Sequence, residues 1–427
     1  MNPEARRIQR TYLTLILGNT IAASFIWGIN TLFLLDAGLS NLEAFAANAF
    51  FTAGMVLFEV PTGVVADTWG RRVSYLLGTV TLAGSTLLYY FMWVVESPFW
   101  AWALISVLIG LGFTFFSGAV EAWLVDAMTW AGYEGDLEAV FGRGQMVSGA
   151  AMLGGSVAGG VIAQVTSLGV PFLLRVGVLL VMFFVAFRLM FDRGFTPERG
   201  SSPFGAMRHV FVTSLDGGLK NPPVRWVMLA SPFTAGVGIY AFYAAQPFLL
   251  ELWGDSEAYS IAGLAAAIVA GSQIAGGYLA PRIRALFERR TTALILGTTA
   301  SGVVLALLGF TNAFWVALFL LVVWGMIFAA EMPIRQAYLN GMIPSQQRAT
   351  VLSFDSLMGN TGGVFIQPVL GKSADVYSYA TSYVIGAAIQ VLAVPLLFLS
   401  RRENSPSDVM VGQPEAVPAV AGQASGE

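Results

Sequence analysis

Long apolar stretches recur along nearly the whole chain, separated by short polar segments. A helix needs about 20 apolar residues to cross the roughly 30 Å hydrocarbon core of a bilayer. Twelve stretches reach that length and none alternates as barrel strands do, so the pattern predicts an all-α polytopic membrane protein with two bundles of six transmembrane helices. Numbered as spans 1 to 12, they cover residues 12–35, 44–66, 73–95, 99–125, 143–166, 170–191, 226–250, 258–281, 291–310, 314–337, 350–371 and 379–399.

A polar interruption in the middle of the chain divides the spans into two sets of six. We predict an N-terminal six-helix bundle over 1–193, a cytoplasmic linker over 194–225 and a C-terminal six-helix bundle over 226–402. Residues 403–427 are rich in Pro, Gly, Ala and Val without periodicity, which predicts a disordered cytoplasmic tail. Apolar residues recur at helical spacing over 204–219, which favours a helix lying on the inner membrane face; a plain linker is the alternative.

Basic residues fall very unevenly on the two sides of this topology. With a cytoplasmic N-terminus, 20 of the 22 Lys and Arg residues lie on the cytoplasmic side, and only Arg175 and Lys372 lie toward the outside. The positive-inside rule therefore predicts a multi-pass protein of the cell inner membrane with both termini in the cytoplasm. One span more or fewer would scramble this sorting, which makes it an independent check on the number of spans.

The composition leaves little room for catalysis or metal binding. Only 11% of the residues are charged, against roughly a quarter in soluble proteins, and 22 basic against 25 acidic residues give no basic field for nucleic acid. There is no cysteine, and His209 is the single histidine, which argues against disulfides and metal sites. We expect no metal, no cofactor, no enzymatic activity and no nucleic-acid partner, and a monomer in the lipid bilayer.

The strongest local motif joins spans 2 and 3 and reads G-x-x-x-D-x-x-G-R-R. Its glycines allow a tight turn and a close helix contact. Its acid lies at the membrane surface, where a charge needs a partner, and its arginines can pair with acids or with anionic lipid. The motif residues are Gly63, Asp67, Gly70, Arg71 and Arg72.

This motif resembles motif A of the major facilitator superfamily. The stretches 117–126 and 338–353 are similar to a bacterial branch of facilitators that includes drug and metabolite exporters. The resemblance covers nearly the whole chain apart from the tail and implies a transporter that works by alternating access. It also implies that Asp67 and the arginines bridge neighbouring helices and hold the inward side shut. Asp126 and Arg143 lie near the inner surface, and we expect them to be further members of this gate.

The sequence departs from the family pattern at three places. In the second half, Pro281 stands where a second motif A would carry its acid. A similar spacing occurs over 371–375, but on the outer side. The glycine run over 154–160 lacks the Gly-Pro pair of the antiporter motif, which weakens the case for proton antiport.

Four acids lie within the apolar spans. An ionisable group there costs at least about 2.5 kcal/mol, so it is a functional hypothesis by default. Burial favours the neutral form of a carboxyl group, and each of these acids is a candidate for binding and releasing the coupling proton. They are Glu59, Glu121, Glu331 and Asp355.

Each acid also has a structural alternative. Glu331 has Arg335 one turn onward as a possible ion-pair partner. Glu59 can pair with the motif arginines, and Glu121 can join Arg71, Arg72 or Arg143 in the gate. Asp355 lies near the start of its helix, where the dipole favours an acid.

Arg175 in the outer third of span 6 is the one cation predicted at depth. We expect it to pair with Asp36 or Glu251, and the alternative is that it holds an anionic substrate.

In the facilitator fold, spans 1, 4, 7 and 10 line the central cavity. The sequence therefore offers an aromatic pocket with few amides, which suits an amphipathic organic solute. We predict proton-coupled efflux of a small amphipathic or hydrophobic molecule; proton-symport uptake of a metabolite and a non-transporting membrane sensor are the alternatives. The candidate cavity residues are Trp27, Asn30, Phe33, Phe233, Tyr240, Tyr243, Gln246 and Arg335.

Overall fold

The computed structural model describes residues 2–197, 205, 218–343 and 348–409, and these are helical nearly throughout. The helices are Pro3–Trp27 and Asn30–Asp36 (span 1), Asn41–Trp69 (span 2), Arg71–Val94 (span 3), Phe99–Thr114 and Ala119–Trp130 (span 4), Leu137–Val165 (span 5), Gly169–Leu189 (span 6), Pro222–Trp253 (span 7), Tyr259–Arg284 (span 8), Arg290–Phe310 (span 9), Phe314–Asn340 (span 10), Arg348–Val376 (span 11), and Tyr379–Val391 and Ala393–Arg402 (span 12). The prediction of an all-α polytopic membrane protein is confirmed.

Hydropathy supports eleven of the twelve spans directly. Ten helical segments are long and apolar enough to cross a bilayer, and the bent pair of span 1 brings the number to eleven. Span 11 is the twelfth: its 29-residue helix has the length, but polar residues such as Asn360 and Gln367 lower its hydropathy. It packs against spans 2 and 7, so protein rather than lipid covers these polar groups.

Two spans contain a helix break that the hydrophobic pattern did not predict. Span 1 bends by 46° between its two helices, at Gly28 and Ile29. Span 4 is interrupted before Gly118, whose φ of +68° is readily adopted only by glycine. Both breaks leave backbone groups without their intrahelical partners, so each is a place where another element can bind.

The two bundles meet mainly along two helix pairs, span 2 with span 11 and span 5 with span 8. Spans 5 and 8 approach each other closely at Gly160 and Gly263, where a Cβ added to either residue would lie 2.9 Å from the Cα of the other. Small residues on these spans therefore serve the interface, as small-xxx-small stripes do in membranes. Gly155 and Gly159, however, pack on Ser24 and Phe25 of span 1.

The chain beyond span 12 stays structured further than the sequence predicted. Pro406–Asp408 forms a 3-10 turn, and the buried carboxylate of Asp408 accepts both the N–H and the hydroxyl hydrogen of Thr291 at 2.8 Å. An acid at this place satisfies free N–H groups at the start of the span 9 helix. The tail boundary predicted at 403 is therefore wrong. The predicted interfacial helix over 204–219 lies almost entirely outside the described residues.

Candidate transport site

A cavity of about 650 Å³ lies between the two bundles. Spans 1 to 6 line it from one side, and spans 7, 8, 10 and 11 line it from the other. Most of its surface is aromatic or aliphatic, which agrees with the predicted pocket type. Of the predicted cavity residues, Trp27, Asn30 and Tyr243 line it.

The other predicted cavity residues lie elsewhere. Phe33 is in the core of the N-terminal bundle, with its ring centroid 3.8 Å from that of Phe172. Tyr240 is buried in the C-terminal bundle and its hydroxyl lies 2.5 Å from that of Ser382. Phe233 packs against a hydrophobic cluster of the C-terminal bundle. Their placement fails because a helix has several buried faces in a twelve-helix bundle, and the sequence does not show which face meets the cavity.

Several lining residues were not predicted from the sequence. Span 10 contributes Trp324 and Phe328, and span 11 contributes Asn360. The only candidate predicted on span 10 was Arg335, and span 11 was not expected to line the cavity. Polar residues in the middle of span 11 were the available signal, since a polar side chain in a membrane helix needs protein or a cavity beside it.

Arg175 lines the cavity and is only 3% exposed. Its guanidinium lies 5.5 Å from the ring centroid of Phe113. No carboxylate of the described residues lies within 4 Å of it, and the expected partner Asp36 instead accepts the indole N–H of Trp93 at 2.7 Å. The predicted ion pair with Asp36 or Glu251 is therefore wrong.

The two ends of the helix bundles carry different sets of polar residues. The motif end carries Asp67 and Arg71. The far end is the opposite end of the bundles, and it carries Asn41 at the start of span 2 and Asp375 near the end of span 11. The contacts that join the bundles differ strongly between these ends.

At the far end, Gln246 of span 7 bridges the break in span 1. Its amide nitrogen donates to the carbonyl oxygen of Trp27 at 2.8 Å, and its amide oxygen accepts the N–H of Thr31 at 2.9 Å. A glutamine fits this place because its side chain both donates and accepts, and the break frees one group of each kind. Gln246 is thus a contact between the bundles rather than a cavity residue.

Asp375 joins the bundles at the same end. Its two carboxylate oxygens accept the backbone N–H groups of Asn41 and Leu42, each at 2.8 Å. These are the first two residues of the 29-residue span 2 helix, whose N-terminal N–H groups and dipole favour an anion. The hydroxyl of Tyr379 also donates to the Asn41 side chain. The motif-like spacing over 371–375 was recognised in the sequence, but it did not predict this contact.

At the motif end, the charged residues bind within their own bundle. Arg71 donates to Asp67 one turn earlier, and its Nε lies 3.9 Å from the Asp126 carboxylate on span 4. Gly70 separates spans 2 and 3 with φ +108°, which accounts for glycine at this position. The predicted group of Asp67, Gly70, Arg71 and Asp126 is therefore brought together.

Arg72 binds the end of span 6 through a residue that sequence reasoning missed. Asp192 accepts the backbone N–H of Arg72 at 2.9 Å, and the guanidinium of Arg72 lies 4.9 Å from the ring centroid of Phe187. Burial raises the pKa of the Asp192 carboxyl, an effect partly opposed by the positive charge of Arg72. The signal was an acid directly after span 6, at the side where the motif arginines lie.

Three predicted motif-end residues do not join this group. Arg143 is exposed and lines a separate surface pocket with Arg10 and Tyr133. Glu121 is exposed and is not within ion-pair distance of the described motif arginines. A Cβ on Gly63 would meet no atom within 4 Å, so in this arrangement its surface on span 2 is open.

Comparison with known proteins decides the family. The sequence model of the Major Facilitator Superfamily matches residues 12–365 and 283–421. The chain belongs to the major facilitator superfamily. Its matches therefore identify a membrane transporter rather than an enzyme.

Solved facilitator structures share the whole fold at low sequence identity. A variant of the nucleoside transporter NupG is 13% identical, with 92% of this chain and 99% of that chain covered and a TM-score of 0.76. A bacterial homologue of the human lysosomal transporter Spinster, inward-facing and unoccupied, is 16% identical, with 96% and 100% covered and a TM-score of 0.73. A D-xylose–proton symporter is 17% identical, with 92% and 97% covered and a TM-score of 0.64. No curated protein matches the sequence.

In the N-terminal bundle of this facilitator, Glu59 binds a neighbouring span. Its carboxylate accepts the hydroxyl hydrogen of Ser117 at 2.6 Å. Ser117 lies in the break of span 4, so this bond joins spans 2 and 4. The alternative that Glu59 pairs with the motif arginines is not seen among the described ion pairs.

In the C-terminal bundle, Arg335 pairs with Asp355 rather than with Glu331. Arg335 donates to both Asp355 oxygens, through Nη2 at 2.6 Å and through Nη1. This pair joins spans 10 and 11 beside span 7, outside the cavity lining, so Arg335 is not a cavity residue here. Asp355 is 5% exposed, and its charge is offset by this partner.

Glu331 has no ion-pair partner within the described residues. Its Oε1 is buried and accepts no hydrogen bond from the protein; it packs against Gly297 of span 9. Thr298 on the same span and Arg335, one turn onward on span 10, are polar side chains near this carboxylate. Of the four candidate acids, Glu331 is the one with a buried oxygen left without a partner.

Proposed function

We propose that this facilitator exports a small amphipathic organic molecule across the cell inner membrane by alternating access, coupled to protons. The observation that carries the proposal is the cavity of about 650 Å³ between two bundles whose cross-bundle hydrogen bonds from Gln246 and Asp375 lie at one end. A cavity held shut at one end is what one state of such a cycle requires.

The distribution of basic residues supports placing the motif end in the cytoplasm. With 20 of 22 Lys and Arg residues on that side, the positive-inside rule favours this orientation. In this orientation the far end would face outward, and its contacts between the bundles would make this an inward-facing arrangement. The similar Spinster homologue is also inward-facing.

The motif residues would act in the other half of the cycle. Asp67, Arg71 and Asp126 bind one another within the N-terminal bundle, and the span 2 surface at Gly63 is open. When the motif end closes, the C-terminal bundle has to approach this surface. The gate inferred from the family resemblance would then form.

Glu331 is the proposed proton carrier. A carboxylate buried in the membrane without a counter-ion favours its protonated form, and its neighbour Arg335 is bound to Asp355 in this state. Loss of the proton would place a negative charge on Glu331, one turn from Arg335. Glu331 would then compete with Asp355 for Arg335. Proton binding to Glu331 would therefore change the strength of the Arg335–Asp355 pair that joins spans 10 and 11.

Uptake by proton symport is the second candidate. Two observations favour it: span 5 lacks the Gly-Pro pair of the antiporter motif, and a D-xylose–proton symporter is among the similar structures. A sensor that binds its ligand without moving it would also bind in the cavity, but would show no flux.

A pH jump across proteoliposomes separates these functions. With acid outside, export by antiport predicts loss of a preloaded compound, symport predicts accumulation, and a sensor predicts neither. A panel of organic anions, neutral amphiphiles and amines is tested with wild type, Glu331→Gln and Glu134→Gln, which makes the same change at an exposed acid. We expect Glu331→Gln to abolish the pH dependence of flux and Glu134→Gln to retain it. Flux with unchanged proton dependence in Glu331→Gln would exclude Glu331 as the carrier.

A further inference from the structure

The central cavity is lined by a cationic side chain, Arg175, that has no counter-ion among the described residues. Arg175 is 3% exposed, and its guanidinium has the Phe113 ring at 5.5 Å but no carboxylate within 4 Å among the described residues. A charge at depth in a membrane is costly, and a single cation–π contact offsets only a part of that cost. An arginine in this position is therefore explained best by a ligand that brings the opposite charge.

Other residues of the cavity lining also have hydrogen-bond donors without an acceptor. The side-chain Nδ2 of Asn48 and the indole Nε1 of Trp324 are buried and have no protein partner, like Nε of Arg175. The oxygen of Asn48 already accepts a bond from Asn30 at 3.0 Å, which leaves its N–H groups. Buried donors normally have partners, so unpaired donors from both bundles indicate a ligand rich in acceptor oxygens.

We propose that the cavity binds an organic anion, with its carboxylate or other acidic group held by Arg175. A guanidinium suits this role because its planar fork donates two parallel hydrogen bonds to such a group. The apolar part of the anion would pack on the aromatic lining from Trp27, Phe242 and Phe328. The inference rests on the proposed function for the movement of this anion, but its binding can be measured without any flux.

The electrostatic part of the inference can be tested without knowing the ligand. The chain has no cysteine, so Ala23→Cys gives a single thiol in the cavity lining. The preceding residue Ala22 packs with Leu179, one turn from Arg175 on span 6. The probes are two methanethiosulfonates of similar size, the anionic sulfonatoethyl and the cationic trimethylammonioethyl reagent, and the measured quantity is the ratio of their reaction rates.

We expect Arg175 to favour the anionic reagent. The anionic-to-cationic rate ratio at Ala23→Cys should fall by about tenfold, the size of a unit charge effect at this range, when Arg175→Gln is added. Arg175→Lys keeps the charge and should keep most of the ratio. Arg188→Gln removes an exposed arginine from the end of the same span and should leave the ratio unchanged. An equal ratio with and without Arg175 would overturn the proposal.

A reference thiol keeps the test decisive if Arg175→Gln does not fold. Thr166→Cys is exposed at the far end of span 5 and reports the ratio at the protein surface. The ratio at Ala23→Cys should exceed it by about tenfold, and a ratio equal to or below the surface value would overturn the proposal.

Three matched ligands test the chemical class. Indole-3-acetate, indole-3-acetamide and tryptamine share one ring system and differ in charge. We expect indole-3-acetate to slow modification of Ala23→Cys by an uncharged methanethiosulfonate the most, and Arg175→Gln to remove its advantage. Any other order, including no protection by any of the three, would overturn the proposal. An anion that binds but is not moved by a proton gradient would contradict the proposed function and leave this site standing.

Discussion

The far end and the motif end use similar residues in opposite ways. At the far end, the acid of one G-x-x-x-D sequence, Asp375, reaches across to the other bundle and binds the start of span 2. At the motif end, the acid of the other G-x-x-x-D sequence, Asp67, binds Arg71 in its own bundle. The same spacing therefore serves a contact between bundles at one end and a contact within a bundle at the other.

This difference shows where the free energy of the observed state resides. The Asp375 carboxylate forms two charge-assisted bonds with N–H groups at the positive end of the span 2 helix dipole. Both bonds join the two bundles, so they break if the bundles separate at this end. The Asp67–Arg71 pair is one turn apart and partly exposed, so it contributes little, about 0.3 to 0.5 kcal/mol. Opening the far end therefore requires breaking two charge-assisted bonds, which solvent weakens because Asp375 is also exposed. The described residues show no corresponding bond between the bundles at the motif end.

Removing the Asp375 carboxylate should have the largest effect on this balance. Asp375→Ala loses both bonds to span 2, at about 2 kcal/mol in total, which converts to a roughly thirtyfold shift toward states open at the far end. Spin labels on cysteines at Thr166 and Glu257, both exposed at the far end of different bundles, report the separation. We expect a longer distance in Asp375→Ala, with Lys372→Gln on the same helix as the control. An unchanged distance distribution would show that other contacts hold this end.

Neutralising the motif acid should change flux more than it changes this state. Asp67→Asn removes a partly exposed pair within one bundle, so the far-end distance and ligand binding should remain close to wild type. Flux should fall severalfold if the acid is needed when the motif end closes. Arg143→Gln, an exposed change outside the motif group, should have a smaller effect on flux. A loss of expression or folding alone in Asp67→Asn would argue against a role in gating.

The sequence predicted those features that have a strong local signature. The spans follow from apolar length, and the group of Asp67, Gly70, Arg71 and Asp126 follows from a motif whose members are near each other along the chain or on adjacent spans. Trp27 and Asn30 were predicted because the family resemblance implies that span 1 lines the cavity.

Side-chain partners on distant spans could not be predicted in this way. Gln246 binds Trp27 and Thr31 only because span 1 breaks at that height, and hydropathy does not reveal a break. Arg335 could pair with Glu331 on its own helix or with Asp355 on span 11. Only the position of span 11 in the fold brings Asp355 into contact with it. Arg175 was expected to find an acid because bare membrane cations are rare, and the fold instead turns it to the cavity.

The smallest expected effect concerns Asp192, which binds the start of span 3 at the motif end. Its pKa is raised by burial, so the charged form is less favourable in the folded protein than in the unfolded chain, and the penalty appears as the pH rises through its titration. Asp192→Asn keeps an acceptor for the Arg72 N–H and should be at least as stable as wild type at pH 7, with the advantage vanishing toward pH 4. Asp192→Ala loses the acceptor and should be less stable at both values by about 1 kcal/mol. Thermal unfolding of the purified protein in detergent measures all three, and a wild type that loses stability relative to Asp192→Asn on acidification would show that the Arg72 charge, not burial, governs this carboxyl.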